Sequence, residues 1–252
     1  MVEKTINRES LRWLLLEGTA IVLSILLAFW IDAWWSDRQS QEAERLILIS
    51  LLEDFQAKKE LVGWQRPYIV AILDSTNELL YASAEGDREL GGESIDRLLG
   101  DLWWNNNAAP WSATLLSSLI AGGDLALVSN VDLRSGLVGW SDRFARVEEA
   151  ISREIDFYDT RFMSFLEDNA SMPQILNAVE HAPGDPEFTY SFGEKFLLGV
   201  SVDHTKLLSS QQFQGLLTRR SVLLNDILTQ AFLQLEDDLD ATIAVIEQEL
   251  VR

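Results

Sequence analysis

A long apolar run near the N-terminus constrains the fold of this chain more than any other feature of its sequence. Between Trp13 and Trp35 the only charged residues are Glu17 and Asp32. An α-helix rises about 1.5 Å per residue, so this run would cover about 33 Å, which matches a bilayer hydrocarbon core of about 30 Å. Because indole rings favour the boundary between lipid and water, Trp13, Trp34 and Trp35 are predicted to be interface anchors. We therefore predict that the run is a transmembrane helix.

Two alternatives to a membrane span are weaker. A cleaved export signal needs small residues at its cleavage site, whereas the chain continues after Ile31 with DAWWSDRQ. A buried helix of a soluble protein is disfavoured by the length of the run and by its tryptophan flanks. The rival apolar stretch at 111–128 is interrupted by Gly122, Gly123 and Asp124, which predict a turn between two helices. The chain is therefore expected to cross a membrane once.

One face of the predicted span is small and polar. The residues of this face, which we term the anchor stripe, are Glu17, Ala20, Ser24, Ala28 and Asp32, at steps of three or four residues. The opposite face carries the bulky residues Leu15, Val22, Leu26 and Phe29. Small residues at this spacing let two helices approach closely in a membrane, and intramembrane carboxylates face protein or water. The stripe predicts a contact with a copy of the chain or with another membrane subunit. The alternative is a lone anchor whose small residues contact nothing.

Basic residues on the two flanks of the run indicate its orientation. Those before it are Lys4, Arg8 and Arg12, and those after it are Arg38 and Arg45. Because cytoplasmic flanks carry the excess of Lys and Arg, we expect a short cytoplasmic tail at 1–12, a span at 13–35 and an extramembrane domain at 36–252. In a bacterium this places the chain in the inner membrane with its larger domain in the periplasm.

The charge balance excludes several classes of partner and chemistry. The chain carries 40 acids against 20 bases, a formal net charge of −20. Such a chain repels nucleic-acid phosphates and anionic lipid headgroups, so no nucleic acid is expected among its partners. It contains no cysteine, which excludes disulfides, iron–sulfur clusters and thiol catalysis.

The rest of the chain is predicted to be helical. Apolar periodicity predicts helical regions over about 38–83, 94–121 (a broken pair), 131–180 and 206–250. Long helices with short connections favour an antiparallel bundle. We therefore expect an all-α protein in which one transmembrane helix continues into an antiparallel bundle of about four long or broken helices. A kink at Pro67 is an alternative to one continuous helix in the first region.

Two of these regions carry patterns that specify which residues are buried. In the first, Leu48, Leu52, Phe55 and Val62 share one helical stripe. In the last, the stripe is Leu224, Leu228, Ala231, Leu235, Leu239, Thr242, Ile246 and Leu250. The mean spacing of the second stripe is about 3.7 residues, which predicts a nearly straight helix packed on others. Arg219 and Arg220 lie in this last region and are expected to form ion pairs within the acidic bundle.

No catalytic or metal-binding motif stands out. His181 and His204 bound a Pro- and Gly-rich insert near 181–204, and their spacing excludes an H-E-x-x-H metal helix. A metal site shared with their acidic neighbours is one alternative, and exposed loop histidines are the simpler one. A strand pair near 188–192 and 196–200 is a further alternative in this insert. We predict no catalytic residue, no metal and no cofactor, and expect that the chain is not an enzyme.

Three tryptophans surround an Asn-rich loop, namely Trp103, Trp104 and Trp111. Indole rings beside amides are able to line a small-molecule or sugar pocket. They are equally suited to fill a core where a helix breaks, or to contact a protein partner. The sequence leaves these three roles open.

Blocks of the sequence resemble a family of uncharacterised single-pass bacterial membrane proteins. LLEGTAIVLSILLAFWIDAWWSDRQSQEAERLILISLLEDF is similar to the family's opening, in which an I-x-x-W pattern ends the anchor, as Ile31 to Trp34 do here. SLIAGGDLALVSNVDLRSGLVGW resembles the family's S-G-x-L-x-L-I-x-N-x-x-L-R segment, and FQGLLTRRSVLLNDILTQ is similar in style. This chain departs from the pattern in a Trp-rich anchor that carries Ser24 and Asp32. The resemblance implies an anchor followed by a helical domain, and it implies no activity.

These patterns predict a location and an architecture more than an activity. We expect a non-enzymatic structural or assembly subunit that self-associates or docks on a larger membrane complex through its transmembrane helix. Its expected partners are membrane lipid and either other membrane subunits or copies of itself. The alternative is an extracytoplasmic helical bundle that binds a ligand or acts as a sensor-like module, which is an analogy of fold alone.

Overall fold

Helices account for nearly all of the structure, a computed structural model that describes residues 8–85, 90–103, 111–179, 181–182, 185–189 and 203–251. The helices are α1 (Arg8–Glu85), α2 (Gly92–Trp103), α3 (Thr114–Gly122), α4 (Val131–Val138), α5 (Trp140–Phe157), α6 (Met163–Asn169), α7 (Met172–Ala178), α8 (His204–Leu208), α9 (Gln211–Asp226) and α10 (Leu233–Val251). A 3₁₀ turn covers Asp124–Leu127, and π-helical turns cover Tyr158–Phe162 and Ile227–Phe232. The prediction of an all-α protein is confirmed.

The insert near 181–204 contributes a small antiparallel hairpin. Its strands are β1 (His181–Ala182) and β2 (Asp185–Thr189). The strand pair therefore begins earlier in the chain than the pattern suggested. The second strand of the predicted pair, at 196–200, lies outside the described residues.

The predicted span and the first predicted region of the bundle form one continuous helix, α1. It is 78 residues long and continues through Pro67 without interruption. Proline removes the amide that would bond the carbonyl four residues earlier, at Gly63. Both residues are exposed, so water can satisfy that carbonyl. Pro67 therefore does not break α1, and regular helix also joins the predicted span to the bundle across residues 36–42.

The environment of α1 changes along its length. Every residue from 17 to 42 is exposed, and burial begins at Leu48. From there α1 packs mainly on α2, α9 and α10. Leu48, Phe55 and Val62 of the predicted stripe are buried, while Leu52 is half-buried. The stripe is therefore the face that α1 turns to the core.

The core consists of two hydrophobic clusters that follow each other along α1. The proximal cluster, nearer the exposed half of α1, includes Phe55 and Trp140, whose rings meet edge-on with centroids 4.9 Å apart. The distal cluster includes Phe165 and Phe213, which stack at 5.7 Å. α1 contributes side chains to both clusters and so connects them.

Ion pairs across the surface show the relative direction of α1 and α10. Lys59 lies 2.5 Å from Asp240, and Arg66 lies 2.6 Å from Glu236. Residue numbers rise along one helix as they fall along the other, so the two helices are antiparallel. Both pairs are largely exposed and contribute about 0–1 kcal/mol each, so apolar burial supplies most of the stability of this contact.

The turn predicted at Gly122–Asp124 is confirmed. α3 ends at Gly122, and Gly123 has a φ of 78°, a left-handed conformation that favours glycine. The chain then enters the 3₁₀ turn and begins α4, where the side chain of Asn130 accepts a hydrogen bond from the Leu133 amide. The apolar stretch at 111–128 is consequently two short elements.

The C-terminal helical region contains a π-helical turn that the spacing did not indicate. Its buried positions include Leu224, Ile227, Phe232 and Leu235, with a step of five between Ile227 and Phe232. A π-helical turn accommodates one extra residue and shifts the buried face. Leu228 and Ala231 of the predicted stripe are therefore only half-buried.

A buried ion pair lies where the two clusters meet. Arg220 Nε donates to Glu154 Oε1 at 3.1 Å, and both side chains are fully buried. Arg220 Nη1 also donates to the Leu102 carbonyl at 2.6 Å. The guanidinium lies over the rings of Tyr158 and Phe162, 4.6 and 4.9 Å from their centroids. Arg220 thus forms the expected ion pair, but in the core, where it links α9, α5 and α2.

Arg220→Met should lower the free energy of unfolding by about 3–5 kcal/mol, because it leaves the Glu154 carboxylate buried without its cation. Urea titration of the detergent-solubilised chain, followed by helical circular dichroism, measures this loss. Arg219→Met is the matched control, since Arg219 is exposed, and should change stability by about 0.5 kcal/mol or less. Equal effects of the two substitutions would contradict a structural role for the pair.

Candidate functional site

The exposed half of α1, which includes residues 17–42, is a large apolar surface that no other described part of the chain covers. Its large apolar side chains between Ile21 and Trp35 are each 50% to 69% exposed. Soluble proteins rarely expose a continuous apolar surface of this kind to water. Such a surface is typical of a membrane or protein contact. Among the described residues α1 is the one helix long and apolar enough to cross a membrane, and its apolar window is 0% buried. The lack of burial distinguishes it from the core helix of a soluble protein.

The anchor stripe lies on this exposed helix. All of its residues are exposed, from Glu17 to Asp32. The Ser24 hydroxyl donates to the Ala20 carbonyl within the same helix, at 2.7 Å. Its hydrogen bond is therefore satisfied without a second chain. What the stripe offers a neighbouring helix is small size, which permits close backbone approach.

The predicted interface anchors are also exposed. Trp13 is 75%, Trp34 51% and Trp35 65% exposed. The Arg38 guanidinium lies 6.0 Å from the ring centre of Trp34, one helical turn further along. A cation next to an indole suits the polar side of a membrane boundary.

Trp103 and Trp111 do not lie together. Trp111 is 1% exposed in the proximal cluster, where its Nε1 donates to Gln65 Oε1 at 3.2 Å. Trp103 is half-buried against the distal cluster. Of the three roles left open by the sequence, the structure places Trp111 in the core. Trp104 and the Asn-rich loop lie outside the described residues.

The backbone at Trp103 takes part in the contact around the buried ion pair. The Tyr158 hydroxyl donates to the Trp103 carbonyl. Burial raises the pKa of Tyr158, and the nearby Arg220 opposes this only in part. The phenol therefore keeps its proton and remains a donor. This contact fixes the end of α2 on the π-helical turn that follows α5.

The histidines do not form a metal site within the described ranges. His204 Nε2 lies 2.8 Å from Asp96 Oδ1, which ties the start of α8 to α2. His181 lies in β1. In the described part of the chain no group of three or more His, Asp or Glu side chains is placed to hold a metal ion.

A polar depression of about 530 Å³ lies between α2 and α7. Its lining includes Asp96, Arg97 and Gln174. Nearby, Gln174 Oε1 and Asn177 Nδ2 are buried and have no hydrogen-bond partner in the part of the chain that the structure describes. The depression is the place where the ligand-binding alternative would have to be tested. Both atoms belong to residues of α7 that line the depression.

Two exposed residues of α1 were not singled out from the sequence, Leu46 and Trp64. Leu46 is 66% and Trp64 55% exposed, and the Trp64 ring stacks on Tyr68 with centroids 6.0 Å apart. The signal that could have found them is their spacing of three or four residues from the anchor stripe, continued along α1.

No family model, curated protein or solved structure matches the chain. The family resemblance of the sequence blocks therefore stays a prediction. The function has to be argued from the surfaces of the protein itself.

Trp111→Ala should lower the free energy of unfolding by about 3–5 kcal/mol, because it leaves a cavity in the proximal cluster. Urea titration of the detergent-solubilised chain provides the measurement. Trp64→Ala is the matched control on the surface of the same bundle, and should cost about 1 kcal/mol or less. A small loss for Trp111→Ala would argue against its role in the core.

Proposed function

We propose that this chain is a single-pass membrane protein, a structural or assembly subunit without catalytic activity that associates with other membrane protein through its transmembrane helix. The observation that carries the proposal is the exposed apolar half of α1, which continues without a break into a well-packed bundle. An apolar helix of this length matches the thickness of the hydrocarbon core of a bilayer. The small residues on one of its faces then favour a protein neighbour.

The proposed arrangement has residues 13–35 in the bilayer, 1–12 in the cytoplasm and 36–252 on the opposite side. The bundle of about four long or broken helices would then stand in the periplasm of a bacterium. This orientation follows from the excess of basic residues before the span.

The two carboxylates of the span fit this arrangement. Glu17 and Asp32 are about 22 Å apart along the helix axis, so both would lie near the edges of a core of about 30 Å. On the stripe they would face water or a protein neighbour, because lipid solvates a carboxylate poorly.

The membrane anchor predicts that the chain stays with the membrane pellet after alkaline carbonate extraction. Peripheral proteins are released because high pH removes electrostatic contacts, whereas a spanning helix remains inserted. A variant with Leu23, Leu26 and Leu27 replaced by Lys should move to the soluble fraction, since each central Lys costs about 2.5–3.5 kcal/mol. Release of the unchanged chain by carbonate would contradict the anchor.

Association through the stripe predicts that replacing Ala20, Ser24 and Ala28 by Leu removes the partner. The larger side chains hold the helix backbones apart, so a larger detergent-solubilised particle should fall to the mass of the single chain. Light scattering after size-exclusion chromatography measures this mass. The matched control is Val22→Leu with Phe29→Leu on the opposite face, which should keep the larger particle. An unchanged mass in the stripe variant would count against the proposal.

A further inference from the structure

The line of the anchor stripe continues along α1 beyond the predicted span. Starting at Glu17, steps of three or four residues lead through Asp32 and Trp35 to Trp64. This line advances 47 residues in 13 steps, which is about 3.6 residues per step and equals the α-helical period. The line therefore stays parallel to the helix axis. Because α1 is unbroken, both ends of the line lie on the same side of the helix.

The part of this line that lies C-terminal to the predicted span, from Glu42 onward, forms a surface that we term the outer face of α1. Its residues are Glu42, Leu46, Ser50, Glu53, Ala57, Glu60 and Trp64. All of them are exposed. The bundle instead packs on the other side of α1, through residues such as Leu51 and Phe55. The outer face is consequently available along its whole length.

The outer face combines apolar side chains with unneutralised acids. Glu42, Glu53 and Glu60 form no ion pair within the part of the chain that the structure describes. Leu46 lies between Glu42 and Glu53, and Trp64 follows Glu60. The indole of Trp64 stacks on the Tyr68 ring, which restricts its rotation. Little side-chain entropy would therefore be lost when a partner covers it. An acidic and apolar face of this kind complements a helix that carries basic and apolar residues.

A second copy of the chain is a poor occupant for this face. All copies of a single-pass protein insert with the same orientation, so two α1 helices would pair in parallel. In such a symmetric pair each residue faces its own equivalent. Glu42, Glu53 and Glu60 would then each meet an identical carboxylate, which is repulsive.

Lipid is an equally poor occupant. Glu42 lies about 15 Å and Trp64 about 48 Å beyond Asp32 along the helix axis. Both distances place the outer face beyond the membrane boundary, since the headgroup region adds only about 5–8 Å on each side.

We infer that the outer face of α1 binds a basic amphipathic helix of a different membrane subunit, the same subunit whose transmembrane helix packs on the anchor stripe. This inference rests on the proposed function, and it names the partner as heterologous and basic. Lys or Arg side chains of that helix, about seven residues apart, bind Glu53 and Glu60, which lie two helical turns apart on α1. Its apolar side chains cover Leu46 and Trp64.

The test is site-specific photo-cross-linking of the full chain in its native membranes. A photoreactive residue replaces Ala57 in the outer face, Ala28 in the anchor stripe, or Ala145 on the exposed side of α5 as the matched control. Mass spectrometry then identifies the cross-linked peptide. The expected product at Ala57 is a peptide of another membrane protein with Lys or Arg residues about seven apart. The Ala28 product should come from the same protein, and Ala145 should give no such product.

Charge reversal tests the chemistry of the contact. Glu53→Lys with Glu60→Lys should reduce the Ala57 product about tenfold, because two attractive contacts become repulsive. The control, Glu148→Lys with Glu149→Lys, reverses two exposed acids of α5 and should change the product by less than about twofold. An undiminished product after reversal at Glu53 and Glu60 would overturn the inference.

The remaining outcomes separate this inference from the proposed function. A peptide of the chain itself at Ala57, or a peptide without basic residues, overturns the heterologous basic partner. A protein cross-link at Ala28 with none at Ala57 overturns the inference and leaves the proposed association intact. A basic foreign peptide at Ala57 with no protein at Ala28 overturns association through the stripe, and with it the inference that one subunit covers both surfaces.

Discussion

The change of solvent along α1 is the constraint on which the rest of the structure depends. A single helix is apolar on nearly all sides at its N-terminal end and apolar on one side from Leu48 onward. Within the described part of the chain, residues 17–42 are exposed, and the second part supplies side chains to both clusters of the core. Because regular helix joins the two parts, the rotation of the exposed half about its axis also fixes which side of the bundle faces a neighbour.

A buried polar contact links three helices of the bundle. Arg220 and Glu154 are both fully buried, and the arginine also bonds a backbone carbonyl of α2 and covers two aromatic rings. Removing either member would leave the other charge buried without its partner, which is strongly unfavourable. The packing of α2, α5 and α9 therefore depends on both residues at this point.

Much of the fold was predictable because periodicity reports burial directly. The stripe through Leu48, Phe55 and Val62 and the glycine turn at Gly123 were both recognised from local pattern. The π-helical turn at Ile227–Phe232 was not, because one extra residue in a helix leaves no compositional mark. The partner of Arg220 was equally hidden, since Glu154 lies 66 residues away in the sequence and only packing brings them together.

The candidate site, like the fold, was only partly predictable from the sequence. The sequence by itself determined that an apolar helix with small residues on one face precedes an acidic helical domain, because hydropathy and spacing are properties of consecutive residues. Only the tertiary structure decided that Trp111 is a core residue while Leu46 and Trp64 remain outside. It also decided that the line of the anchor stripe continues on the side of α1 away from the core. The physical reason is that exposure depends on which helices cover a face, and those helices come from distant parts of the chain.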